Sequence, residues 1–250
     1  VRKWGSVGFI VGVFGIGALL EVLPISMLPV LLLCISFLAF IWSFSIKEPT
    51  TAPHSQGQLE PLLPILKKPV VAAFFGIEFI LLFSHAPFYS FYSNFLKQAG
   101  YSTTEIGFLW AVGVMAEIIM FAIAHIFFKR FSWRLMVSIC LILTALRWFM
   151  VGSFPQIFAI QFFAQTIHAF SFGLFHLIAM RIIFQNFSLG QQGRGQALYS
   201  TMWGLGVASG SILAGHFWHS LSGEHIFILA GCAVLLGLGL VRYLPKDVQA

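Results

Sequence analysis

The chain has 250 residues, of which 59% are hydrophobic and 9% charged, and its formal net charge is +6. A soluble domain carries roughly 25% charged residues, so this composition excludes a soluble surface and requires lipid contact. The basic residues stand singly between apolar runs, which reads as a topology signal and gives no nucleic-acid partner.

Runs of about 20 apolar residues, the length that crosses a bilayer, fall at 5–23, 26–46, 70–96, 104–128, 133–152, 156–180, 194–219 and 224–244. The sequence therefore predicts an all-α membrane protein with about eight transmembrane helices. Gly5, Gly8, Gly12 and Gly15 share one face of the first run, and Gly206 and Gly210 form a GxxxG pair continued by Ser211 and Gly215. Such faces allow close helix crossings. The longest connection, 47–69, is rich in proline and polar residues and separates two helices from six. With residues 1–4 placed inside, Arg2, Lys3, Lys47, Lys67, Lys68, Lys129, Arg130, Arg134, Arg181, Arg194, Arg242 and Lys246 all fall at the inner face. Lys97 lies outside and Arg147 within a helix. That bias puts both termini in the cytoplasm, in a multi-pass protein of the inner membrane. The opening VRKWGS reads as the inner end of a helix whose predecessors are missing.

Ionisable groups inside a membrane are costly and mark function. Glu117 lies midway along 104–128, Arg147 slightly outward of the middle of 133–152, and His168 near the middle of 156–180. Their similar depth makes a buried charge cluster for proton or solute handling, or else a structural Glu117–Arg147 pair. Gln161, Gln165 and His168 are spaced i, i+4, i+7 and share a face, suited to orienting a polar solute or to interhelical hydrogen bonds. Glu78 and His85 share a face of 70–96, with Glu78 nearer the inner side. Tyr89 and Tyr92 follow in an aromatic run that fits either packing or a solute path. His125 and His176 read as structural. Cys34, Cys140 and Cys232 are far apart and show no metal spacing. Neither an intramembrane protease motif nor a P-loop is present, so the reading is not an enzyme, with no cofactor and no metal.

Several segments resemble the 3-phenylpropionate permease family, a lactose-permease-like branch of the major facilitator superfamily. VRKWGSVGFIVG (1–12) is similar to the start of its helix five. The stretch 84–121, SHAPFYSFYSNFLKQAGYSTTEIGFLWAVGVMAEIIMF, resembles its helices seven and eight. LRWFMVGS (146–153) and HAFSFGLFHLIAMR (168–181) resemble helices nine and ten. The resemblance implies a partial major facilitator fold, helices five to twelve. Residues 1–46 would be the last two helices of the N-terminal half, 47–69 the cytoplasmic inter-half loop, and 70–250 the six-helix C-terminal half. It implies proton-coupled symport of a small organic solute, with a 3-phenylpropionate-like aromatic acid favoured. The alternatives are a sugar or nucleoside symporter, or a non-transporting membrane fragment or interaction module. A separate chain carrying the first four helices would complete the transporter. The resemblance places His85, Tyr89 and Tyr92 near the solute path. In the lactose permease pattern the helix-ten histidine is followed three residues later by a proton-handling carboxylate. Ser171 stands there in this chain, so the proton role falls to Glu117 or Glu78. KRFSWR (129–134) resembles a reduced form of the superfamily's basic loop motif, a gate contact or a positive-inside anchor.

Overall fold

In the computed structural model, residues 22–45 and 61–246 are described, together with Gly8, Gly12, Gly15, Ile16 and Leu19. Most of the expected crossing 5–23, Gly5 included, and most of the 47–69 connection lie outside the described residues. The chain divides into two units, Val1–Gln58 and Leu59–Ala250.

In the first unit a 3-10 turn, Ile25–Met27, leads into α1, Leu28–Ser43. Pro29 sits in its first turn, where the missing N–H costs nothing. None of the α1 residues is buried within the unit. Ser36 and Ser43 return their hydroxyls to the carbonyls of Leu32 and Phe40, so their polarity stays within the helix.

The second unit begins with a short helix, α2 (Leu62–Leu66), inside the segment expected to be linker. Four long elements follow: α3 (Pro69–Gln98), α4 (Thr103–Arg130), α5 (Trp133–Ser153), and a span built from α6 (Phe158–Thr166), a π-helical stretch (Ala169–Leu174) and α7 (Phe175–Asn186). The chain then runs through α8 (Gln192–Leu235) and ends on a short α9 (Leu238–Val241). All regular structure among the described residues is helical.

Local chemistry sets the helix ends. Ser102 and Glu105 form a reciprocal capping box on α4: the Glu105 N–H donates to Ser102 Oγ, and the Ser102 N–H donates to Glu105 Oε2 at 2.8 Å. That arrangement satisfies donors a helix start leaves open. Ser132 caps α5 by accepting from the Leu135 N–H. In the basic loop segment, Arg134 closes the far end of the chain by donating to the carbonyls of Leu244 and Arg242.

Among the described residues, five helical stretches are long and apolar enough to cross a membrane. The last, Leu189–Val241, has 53 residues and would measure about 80 Å if straight, far beyond a hydrocarbon core of about 30 Å. It is not straight. Ser222 has φ 61° and ψ 158° and reverses the chain. Before it, Gly206 lies against Leu82, Gly210 against Ala86 and Gly215 against Phe91, so this arm runs beside α3 in the same sense, and just past the reversal Gly223 lies against Phe95. After it, Phe227 lies against Gly152, Gly231 against Phe149 and Gly237 against Leu141. The second arm therefore runs antiparallel to α5. The 53 residues make two crossings, as the two separate runs 194–219 and 224–244 predicted. The unit thus holds six crossings.

Large apolar side chains such as Phe163, Ile212, Ile142 and Leu146 point outward and are exposed, which fits lipid as their solvent. One buried cluster runs through Phe74, Ile77, Trp133, Met136, Phe175 and Ile178. A second gathers Phe88, Tyr92, Trp148 and Phe227. The polar site lies beside the second cluster.

Candidate functional site

Arg147 is the centre. It sits on α5 with no exposed surface. One Nη1 hydrogen points to His168 Nδ1 at 3.1 Å and another to Ser171 Oγ at 3.3 Å, while Nη2 donates to Gln165 Oε1 at 3.0 Å. A guanidinium only donates, so His168 must accept at Nδ1 and carry its hydrogen on Nε2. That Nε2 faces Glu117 Oε2 at 4.0 Å. Glu117, His168 and Arg147 therefore form one line across α4, the middle of the fourth span, and α5. The imidazole stands between the carboxylate and the guanidinium.

Two aromatic faces flank the cation. The Arg147 Cζ lies 4.3 Å from the Phe88 ring centroid and 4.5 Å from that of Trp148, within cation–π range. Trp148 is fixed in turn: its Nε1–H donates to Ser84 Oγ at 3.2 Å, and its ring meets His85 edge-on at 4.9 Å. Phe88 also packs on Tyr92 at 4.7 Å and on Trp110 at 4.5 Å. His85 donates its Nδ1–H to the Leu81 carbonyl at 2.8 Å, and Tyr89 stacks beyond it at 5.9 Å.

The helix carrying His168 is shaped for this cluster. Directly after it the backbone widens into the π-helical stretch Ala169–Leu174, a feature that often accompanies functional positions. Ser171, inside the wide stretch, reaches Arg147. Two glycines let α4 approach closely. A Cβ on Gly113 would stand 3.3 Å from Gln165 Oε1, and one on Gly173 would stand 3.4 Å from Glu117 Cγ.

Of the nine residues named from the sequence, the structure brings Glu117, Arg147, His168 and Gln165 into one network. Tyr92 and Gln161 form a neighbouring one. The Tyr92 hydroxyl donates to Gln161 Oε1 at 3.2 Å, and Gln161 Nε2 donates to the carbonyls of Phe154 and Val151. Gln161 thus bolts α6 to α3 and α5. His85 and Tyr89 border the cluster through ring contacts. Glu78 stands apart: it is fully buried, and neither carboxylate oxygen has a hydrogen-bond partner. A direct Glu117–Arg147 contact is replaced by the bridge through His168. His176, nearer the inner end, pairs with the Tyr199 hydroxyl at 3.0 Å. Sequence reasoning missed Trp148, Ser84, Gly113 and Gly173, which look like ordinary apolar or small residues in a membrane helix.

Among the described residues no group of three or more histidines, cysteines or acids is placed to hold a metal.

Comparison with known proteins then fixes the family. The chain is 29% identical, over its whole length, to the probable 3-phenylpropionic acid transporter of Escherichia coli (strain K12), and it spans 65% of that protein. Solved structures give no significant match. The profile of the MFS_1-like family matches residues 1–229. With its membrane-spanning helices, the chain is a multi-pass membrane protein and belongs to the MFS_1-like family of the major facilitator superfamily.

Proposed function

We propose that the chain is the greater part of a proton-coupled symporter for a small organic solute, with an aromatic acid of the 3-phenylpropionate kind favoured. The observation that carries this reading is the Glu117–His168–Arg147 line, three ionisable side chains from three consecutive spans at one depth. Groups of this kind inside a membrane belong to ion and solute pathways. The family match and the E. coli relative support the same reading.

Glu117 is the proton carrier in this scheme. As a carboxylate it attracts the Nε2 side of His168. Once protonated it releases that attraction, and the imidazole is free to shift its hold on Arg147. Because His168, Gln165 and Ser171 all bind Arg147, one proton on Glu117 can change the orientation of the polar face offered to the solute. Tyr92, Tyr89 and His85 line the approach, and Gln161 keeps α6 in register. Glu78 is a second buried carboxyl available to protons. Residues 1–46 would complete the N-terminal half, 47–69 the inter-half loop and 70–250 the C-terminal half. Residues 1–4 and 246–250 would face the cytoplasm of an inner membrane, and four further helices would complete the pathway.

Uptake of labelled 3-phenylpropionate, a nucleoside and a galactoside into energised membrane vesicles tests this, with the chain alone and with four upstream helices restored. The expected outcome is uptake of the aromatic acid, driven by an inward proton gradient and uncoupled from it in Glu117→Gln. Normal proton coupling in Glu117→Gln would sink the role given to Glu117.

A further inference from the structure

Arg147 is a permanent cation with no exposed surface, and the partners of its Nη atoms are an imidazole that accepts, a hydroxyl and an amide oxygen. None of the three brings a negative charge. The carboxylate of Glu117 lies on the far side of the imidazole, against Nε2. A buried cation without a counter-ion is expensive in a membrane interior, and the Phe88 and Trp148 faces repay only part of that cost.

Two donors in this cluster also make no hydrogen bond of ordinary geometry: Arg147 Nε, and Gln165 Nε2, which has the Tyr92 hydroxyl beside it. Gln165 cannot satisfy its own amide by flipping, because its Oε1 is held by Arg147 Nη2 at 3.0 Å. The unused N–H groups therefore belong to two side chains already joined to each other through Nη2 and Oε1. Buried donors left unpaired are rare and costly, and two side by side on a cationic centre describe an anion cradle. The side chains of His168 and Glu117 keep 11% and 12% exposure, so the cluster is not sealed on the Glu117–His168 side.

We infer that Arg147 and Gln165 bind the carboxylate of the solute, which acts as the missing counter-ion, with the rings of Phe88 and Trp148 bracketing the guanidinium. The site then selects monoanionic carboxylates over neutral sugars and nucleosides of similar size. This rests on the transport reading above for how the ligand arrives, and it moves Arg147 from proton coupling to solute anchoring. A carboxylate takes up the Nε and Nε2 donors together, and the charge-assisted bonds so formed are about twice as strong as neutral ones.

The test measures ligand-dependent thermal stabilisation of the full chain, purified in detergent micelles. The probes are 3-phenylpropionate, benzoate, the uncharged 3-phenylpropionamide and methyl galactoside. The carboxylates should stabilise the wild type, with the amide roughly ten- to hundredfold weaker, as loss of charge-assisted bonds predicts. Arg147→Gln should abolish the preference for carboxylate over amide, and Gln165→Leu should weaken the carboxylates by about tenfold. If Arg147 were purely structural, its replacement would shift the melting temperature and leave the ligand preference intact. Equal response to carboxylate and amide, no response to either carboxylate, or a preference that survives Arg147→Gln would each overturn the inference. Should Arg147→Gln fail to fold, the wild-type comparison and Gln165→Leu still decide it. Carboxylate binding without uptake in vesicles would sink the transport reading and spare the anion site. Proton-driven uptake of a neutral solute without carboxylate binding would do the reverse.

Discussion

Ser222 carries the reversal between the last two crossings, and it does so in a backbone region that only glycine enters freely, φ 61° and ψ 158°. Such a conformation costs a residue with a Cβ about 1–3 kcal/mol. The hydroxyl returns some of this by donating to Glu224 Oε2 at 2.7 Å and meeting His225 Nδ1 at 3.0 Å. Comparing two variants separates the terms. Ser222→Ala loses the hydroxyl and keeps the backbone penalty, whereas Ser222→Gly loses both. Ser222→Gly is therefore expected to be more stable than Ser222→Ala by about 1 kcal/mol, read from thermal unfolding in micelles. Equal stability of the two would show that the backbone is not strained there.

At the scale of elements, α3 and the first arm of α8 meet along a close seam. Pro87 lies inside α3 and cannot donate to the Phe83 carbonyl one turn back. That freed carbonyl faces Gly210, whose hydrogen leaves room that a side chain would not, and Gly206 meets the Phe79 carbonyl in the same way. Ser90 and Ser211 link the helices one turn further out, Oγ to Oγ at 2.8 Å. Gly210→Val should destabilise the protein by about 1–3 kcal/mol, since it overfills a contact made of backbone and Ala86. Gly204 has open space around it, so Gly204→Ala should be neutral or gain about 0.5–1 kcal/mol of helix stability. Unfolding of both variants checks the pair.

Much of this level was legible in the sequence. Apolar length gave the crossings of the second unit, whereas the run 26–46 holds a helix of 16 residues, short for a span; the rarity of charge in lipid singled out Glu117, Arg147 and His168. The GxxxG pair at Gly206 and Gly210 was visible too. The order of contacts within the cluster was not. That Glu117 meets Arg147 through an imidazole depends on side-chain directions, and that Phe88 and Trp148 cover the guanidinium depends on how α3 and α5 pack. Nothing in AFSFGL announces a π-helical stretch, because its residues would suit an α-helix equally well. The short helix Leu62–Leu66 was hidden by the prolines around it.

For the molecule as a whole, the two arms of α8 and the short loops at 99–102 and 154–157 make successive crossings alternate in direction. Lys97 then belongs to one side of the membrane and Lys129 to the other, both exposed. The excess of Lys and Arg at the Lys129 end predicts that this end is cytoplasmic. With Cys34, Cys140 and Cys232 replaced, Lys97→Cys should react with a membrane-impermeant maleimide on intact cells. Lys129→Cys should react only after permeabilisation. The opposite labelling pattern would invert the topology.

The wide stretch Ala169–Leu174 has one more consequence, which concerns changes of chain length. A π-helical turn holds an extra residue, so the span Phe158–Asn186 contains an insertion that its backbone has absorbed locally. Removing Phe170 lets the turn close to ordinary α geometry while α6 and α7 keep their faces. One residue lost from α5 before Arg147 would instead swing the guanidinium about 100° around its helix, away from His168. The turn beside the Arg147 cluster is therefore a place where the gene can change length without turning the faces of α6 and α7.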